Sequence, residues 1–241
     1  MPGFRELDAD RIVLTLEQLS RRIQERFPGS SLAAVSRELL DFGREIEGRL
    51  QQLTRPNWPI RALAAFAAVL VLVLVGIGIV TIRVSPHVQG ITDLAQGIES
   101  AINDVIFLGI GLFFLLTIEA RIKRRVALKA LHELRSIAHI VDMHQLTKDP
   151  EQVLNPGMGR TESSPARAMS RFELTRYLDY CSELLSLVGK LASLHAQYLP
   201  DPVVLDAVND IETLSVGLSR KIWQKIMILD TIGAGSGPDQ R

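Results

Sequence analysis

Two stretches of uninterrupted apolar residues dominate the pattern of hydrophobic and polar positions along the chain. The first, residues 62–80, reads ALAAFAAVLVLVLVGIGIV and lies between Arg61 and Arg83. As an α-helix it would be about 28 Å long at about 1.5 Å per residue, which matches a bilayer hydrocarbon core of about 30 Å. Because backbone polar groups in lipid must be paired within the segment, the pattern predicts a transmembrane helix over residues 58–83.

The second stretch, residues 105–118, reads VIFLGIGLFFLLTI and is shorter. Extended to residues 101 and 122, it is long enough to cross a bilayer. We therefore expect a second transmembrane helix over residues 104–122, joined to the first by a short connection over residues 84–103. Four polar side chains lie near its ends, where they can reach water: Asn103, Asp104, Glu119 and Arg121.

Basic residues are distributed asymmetrically around these stretches. Residues 84–103 contain no lysine or arginine. Because lysine and arginine are retained on the cytoplasmic side of a membrane, the pattern predicts cytoplasmic termini and an extracytoplasmic connection. The expected location is the plasma (inner) membrane, and the lipid bilayer is the first expected partner. The residues that determine this topology are Arg61, Arg121, Lys123, Arg124 and Arg125.

Residues 1–57 are predicted to form a cytoplasmic helical hairpin. Two sets of apolar positions recur every three or four residues, and Pro28-Gly29-Ser30 separates them with a turn. The second set, from Leu32 to Leu53, has a seam that suits a coiled coil or a helix bundle.

Three further amphipathic helices are predicted over residues 123–229, which we assign to the cytoplasm. The helical pattern after the second stretch continues to about residue 147, and residues 148–168 replace it with a loop rich in proline and glycine. Residues 230–241 are polar and glycine-rich, which predicts a disordered tail.

Capping motifs indicate where the last two helices begin. Ser170 and Glu173 have the spacing of a capping box, and Asp201-Pro202 supplies an N-cap followed by proline at the first helical position. The predicted fold class is an all-α membrane protein: a two-helix transmembrane hairpin with an N-terminal helical hairpin and a C-terminal three-helix cytoplasmic region. The amphipathic helices either form one bundle or meet across subunits.

Composition removes several classes of function. The chain has 27 basic and 27 acidic side chains, so no net charge attracts nucleic acid, and we expect none to bind. The single cysteine, Cys181, excludes an internal disulfide and a multi-cysteine zinc site. No phosphate-binding loop motif is present, and we expect no cofactor and no metal. A basic stretch around Trp223 suits an acidic partner, anionic lipid or the end of its own helix.

The densest polar feature of the sequence lies in residues 131–150. His139 and Asp142, one helical turn apart, have the residue types of an acid–base pair, and the alternative is a solvated helix face. His132 and His139 are about 10 Å apart along a helix axis, too far to bind one metal ion. At 100° per residue, five polar side chains share this candidate face: His132, Arg135, Ser136, His139 and Asp142.

Three functional interpretations remain, and no enzymatic activity is expected from the preferred one. It is a membrane-anchored, homo-oligomerising helical scaffold or regulator of an unidentified cytoplasmic protein, favoured by well-patterned helices without catalytic spacing. The second is an oligomeric ion-conducting pore gated by the cytoplasmic helices, with Asp104 or Glu119 as carboxylates at its mouth. The third is a membrane-tethered enzyme that uses the polar face around His139.

Overall fold

The computed structural model describes residues 6–84, 91–148, 150 and 169–235, and every regular element in these ranges is helical. The all-α class predicted from the sequence is confirmed. The chain separates into two compact units, which we call the bundle (Met1–Thr54 with Val126–Arg241) and the apolar hairpin (Arg55–Arg125). The helices are α1 (Ala9–Arg26), α2 (Ser31–Thr54), α3 (Trp58–Val84), α4 (Ile91–Leu146), α5 (Arg171–Tyr198) and α6 (Pro202–Gly235).

Local hydrogen bonds explain the first two helix boundaries. The Asp8 carboxylate caps α1 by accepting from the backbone N–H of Arg11. Gly29 turns the chain with a φ of 69°, a conformation that L side chains rarely adopt. The Ser30 hydroxyl then accepts from the backbone N–H of Ala33, 3.2 Å away, and caps α2. The predicted turn between the two helices is therefore confirmed.

The capping motifs of the last two helices are also confirmed. Ser170 and Glu173 form both hydrogen bonds of a capping box at the start of α5. The Asp201 carboxylate accepts from the backbone N–H of Val203 at 3.0 Å, next to Pro202 at the start of α6. Helix α6 continues to Gly235, beyond the predicted end at residue 229. Residues 149 and 151–168 of the predicted loop, and residues 236–241 of the predicted tail, lie outside the described part of the chain.

One hydrophobic core joins α1, α2, the second half of α4, α5 and α6. The amphipathic helices bury their apolar faces, including Leu134 and Val141 of α4 and Leu184 of α5. Of the two arrangements that the sequence allowed, the amphipathic helices therefore adopt the single bundle. Helix α5 is buried on more than one face, because Leu178, Leu185, Leu187 and Leu194 are buried as well.

Polar contacts fix the direction of the helices within the bundle. Arg49 of α2 pairs with Glu133 of α4 at 3.0 Å, while the Ser31 hydroxyl at the other end of α2 lies 3.2 Å from His144 Nδ1, so these helices are antiparallel. The Lys225 ammonium donates to the backbone carbonyl of Gln145 at 2.8 Å and joins α6 to the C-terminal end of α4. A cation there satisfies carbonyls that a helix end leaves unpaired.

The apolar hairpin contains two helices that are long and apolar enough to cross a membrane, one over Trp58–Ile77 and one beginning at Val105. Many of their described large apolar side chains are exposed; Leu72 is 70% exposed. Helix α4 begins at Ile91, so residues 91–103, assigned from the sequence to the connection, are helical. This segment lacks proline and is rich in residues compatible with a helix. Residues 85–90 lie outside the described part of the chain.

Candidate functional site

The polar face predicted around His139 is spread along the surface of α4. His132, Arg135, Ser136 and His139 are exposed. The Ser136 hydroxyl donates to the backbone carbonyl of His132, and Arg135 lies 3.9 Å from the exposed carboxylate of Asp210. These contacts are those of a solvated helix surface.

Asp142 forms its hydrogen bond with a residue other than His139. Its carboxylate accepts a hydrogen bond from the Gln145 side-chain amide at 2.7 Å. Among the described side chains no hydrogen bond joins Asp142 to His139, and no group of histidine, cysteine and carboxylate residues is arranged to hold a metal ion. In the structure, the predicted acid–base pair is therefore not joined by a hydrogen bond.

Glu119, predicted as a carboxylate at a pore mouth, lies between two cations in the apolar hairpin. Its side chain is 14% exposed. One carboxylate oxygen is 2.9 Å from Arg61 Nε, the other is 3.0 Å from Lys123 Nζ, and the backbone N–H of Asn57 also donates to it. One carboxylate with two cations carries a net positive charge, which does not attract cations.

The other predicted residues of this region make separate contacts. The Arg121 guanidinium lies over the Phe114 ring, 5.0 Å from its centroid. Arg125 is exposed and Arg124 is half-buried. The Asp104 side chain lies outside the part of the structure that is described.

Two buried titratable side chains in the bundle have structural rather than chemical roles. Burial raises the pKa of the Cys181 thiol to about 12, so the thiol stays protonated and unreactive. His195 is also buried, with Nδ1 3.1 Å from the Leu191 carbonyl, and burial lowers its pKa. His195 is therefore neutral and donates to a backbone carbonyl within the core.

A groove of about 600 Å³ lies between α5 and α6. We call it the α5–α6 groove. Ser215 lines it and is 5% exposed, and its hydroxyl has no hydrogen-bond partner among the described residues. The Ser193 hydroxyl donates to the Glu212 carboxylate across it. Its other lining residues include Ser186, Gly189, Lys190, Val216, Arg220 and Trp223.

Beside this groove, α6 presents a row of exposed side chains to its surroundings. Val216 is 59% exposed and Trp223 is 58% exposed, although both are large and apolar. In the sequence, the basic stretch around Trp223 is the signal of this outer face. We call the row the α6 stripe; at about 100° per residue it spans an arc of about 80° and consists of Leu205, Asn209, Glu212, Val216, Arg220, Trp223 and Met227.

No known protein family, curated protein or solved structure matches the chain. The features that bear on function are therefore these two surfaces and the apolar hairpin.

Proposed function

We propose that this chain is a membrane-anchored, oligomerising helical scaffold or regulator that acts on a cytoplasmic protein partner. The observation that carries the proposal is the outer face of α6. There the α6 stripe and the α5–α6 groove place exposed apolar side chains beside hydroxyl and charged groups. Protein interfaces have this character, with large apolar or aromatic anchors surrounded by polar groups.

The anchor is supported by the exposure of the apolar hairpin. Side chains such as Leu72 and Phe107 are exposed on helices long enough to cross a bilayer. Contiguous apolar surface of this extent is unfavourable in water and favourable in lipid. The excess of arginine and lysine at residues 121–125 supports cytoplasmic termini.

The ion pairs of Glu119 support an anchor better than a pore. A charge at the end of an apolar span is costly in lipid unless it is paired, and Arg61 and Lys123 pair this one. They leave no free carboxylate at this position to select cations. The scaffold is accordingly the function that we favour.

Cysteine labelling of intact cells tests the anchor and its topology. Gln89→Cys lies between the two predicted spans, and Glu38→Cys lies at an exposed position of α2. We expect a membrane-impermeant maleimide to label the first in intact cells and the second only after permeabilisation. The buried Cys181 provides an unreactive background. Release of the protein from membranes by alkaline carbonate, or the reverse labelling, would contradict the proposal.

Photo-crosslinking in cells tests the partner. A photoreactive amino acid replaces Trp223 on the α6 stripe or Ser186 in the α5–α6 groove, with Leu14 on the exposed side of α1 as the matched control. We expect one cytoplasmic protein to be crosslinked from the first two positions and not from Leu14. If all three positions yield no cytoplasmic protein other than this chain, the partner has to be abandoned.

A further inference from the structure

Two arginines lie one helical turn apart on a single face of α4, namely Arg121 and Arg125. At about 100° per residue, this face is about 160° away from the face that carries Glu119 and Lys123. Because Glu119 pairs with Arg61 of α3, the two arginines lie on the side of α4 that is turned away from α3. In the part of the chain that the structure describes, no carboxylate pairs with Arg121 or Arg125.

The Arg121 side chain extends back along the apolar stretch of α4. Its guanidinium lies over the ring of Phe114, which is about two turns earlier in the helix, at 5.0 Å from the ring centroid. A stacked guanidinium keeps the N–H groups in its plane for an anion. Phe107, Ile110 and Phe114 share this face, and all three are exposed. We call this apolar row, together with the two arginines, the α4 arginine stripe.

This order of charged and apolar side chains matches the chemistry of a phospholipid. A phospholipid joins an anionic phosphate to apolar acyl chains, just as the stripe joins two cations to an apolar row. Arginine binds phosphate oxygens through two parallel N–H groups, and side chains one turn apart are close enough to share one phosphate. A free phosphate ion would satisfy the arginines but would leave the apolar row uncovered.

We propose that Arg121 and Arg125 bind the headgroup phosphate of an anionic phospholipid in the cytoplasmic leaflet, with an acyl chain along the apolar row. From Arg121 to Phe107 the stripe rises about 21 Å, which exceeds the half-thickness of about 15 Å of a bilayer hydrocarbon core. Topology alone requires cations on the cytoplasmic side, but not on a face shared with exposed aromatic side chains. The inference rests on the proposed function, because the apolar hairpin must be inserted in a membrane for the stripe to meet lipid.

Native mass spectrometry of the full-length protein in detergent tests the site. We expect the parent to bind phosphatidylglycerol about tenfold more tightly than phosphatidylcholine, whose headgroup carries its own cation. Combining Arg121→Gln with Arg125→Gln should bring the two dissociation constants to within about twofold of each other. The matched control combines Arg22→Gln with Arg26→Gln, at two exposed positions one turn apart on α1, and should leave the preference unchanged. Circular dichroism verifies that each variant is folded.

Competition distinguishes a lipid from a soluble phosphate. Inorganic phosphate in large molar excess should not displace phosphatidylglycerol from the parent, and complete displacement would overturn the inference. An unchanged preference in the Arg121 and Arg125 variant, or an equal loss in the control, would overturn it as well. A protein that resists extraction by alkaline carbonate but binds both lipids equally would refute this inference alone. A protein that prefers phosphatidylglycerol but is released by carbonate would refute the proposed anchor alone.

Discussion

The bundle and the apolar hairpin contain similar side chains in opposite environments. In the bundle, Leu184 and Leu185 are completely buried, whereas Leu72 and Phe107 of the apolar hairpin are exposed. Only 6% of the apolar window in α3 and none of that in α4 is buried within the chain, whereas the second half of α4 contributes Leu134 and Val141 to the bundle core. The difference shows that apolar content alone does not distinguish side chains that form a core from side chains that remain exposed. Exposure makes the distinction.

The two regions can also be compared by the pairing of their polar side chains. In the bundle, the buried side chains of Ser20 and Ser36 pair with each other at 3.1 Å between their hydroxyl oxygens. In the apolar hairpin, Glu119 pairs with cations near the end of the second apolar stretch. In both regions, these largely buried polar groups are therefore paired.

The largest effect is expected from a cavity in the bundle core. Leu184→Ala removes a completely buried side chain from the central helix α5 and should reduce the free energy of unfolding by about 3–4 kcal/mol. Leu14→Ala, at a position of α1 that is 57% exposed, should cost less than about 0.5 kcal/mol. Denaturant unfolding of the full-length protein in detergent measures both. Equal losses would mean that the assigned core is wrong.

A charge in the apolar hairpin should have an effect of similar size, but on membrane insertion rather than on the free energy of unfolding. Leu72→Asp places a carboxylate in the middle of α3 and should disfavour membrane insertion by about 3 kcal/mol. Leu14→Asp, at an exposed position of the bundle, should leave insertion unchanged. The membrane-integrated fraction after alkaline carbonate extraction provides the measurement. If the two variants insert equally well, the exposed apolar side chains of the two regions do not differ in their surroundings.

Much of this fold could be predicted because its signals are local. The turn at Gly29, the capping box at Ser170 and the proline-led start of α6 each depend on residues a few positions apart. The burial of α5 on several sides was missed, since it depends on which helices surround it. Its sequence signal was the presence of leucines on more than one face of the helix, including Leu178 and Leu194.

The candidate site was harder to predict than the fold. Helical spacing places His139 and Asp142 on one face, but the direction of the Asp142 side chain depends on its hydrogen bond with Gln145. The partners of Glu119 come from α3 as well as α4, and Arg61 is far from it in sequence. The pairing of Glu212 with Ser193 across the α5–α6 groove is likewise a tertiary contact.

A smaller effect, specific to the bundle, is expected from pH. Burial chiefly, with a contribution from the positive charge of Arg49, lowers the pKa of His195 below its ordinary value of 6.5. The unfolded chain then binds a proton more readily than the folded chain. The stability contributed by neutral His195 is complete above about pH 6.5 and is lost as the pH falls toward the lower folded pKa.

The loss should approach but not exceed about 1.4 kcal/mol per pH unit in that window. Unfolding free energies of the parent and of His195→Gln, measured between pH 7.5 and pH 5, isolate this contribution. We expect the variant to have a shallower decline than the parent. Identical declines would show that His195 becomes protonated as easily in the folded chain as in the unfolded one.

The smallest effect is expected where the two regions can be compared pair by pair. Arg61–Glu119 belongs to the apolar hairpin and Arg22–Glu183 to the bundle. Both side chains of the bundle pair are substantially exposed, so its coupling energy should be about 0.5 kcal/mol or less and should fall at high salt. Glu119 is more buried, so its coupling with Arg61 should be larger, about 1 kcal/mol, and less sensitive to salt.

Double-mutant cycles with Arg→Ala and Glu→Gln, read from unfolding in lipid nanodiscs, give both values, with Arg121→Ala as the control for charge near Glu119. If the two pairs have the same coupling energy and salt dependence, Glu119 is as well solvated as a surface carboxylate, and the end of the span is not shielded by lipid.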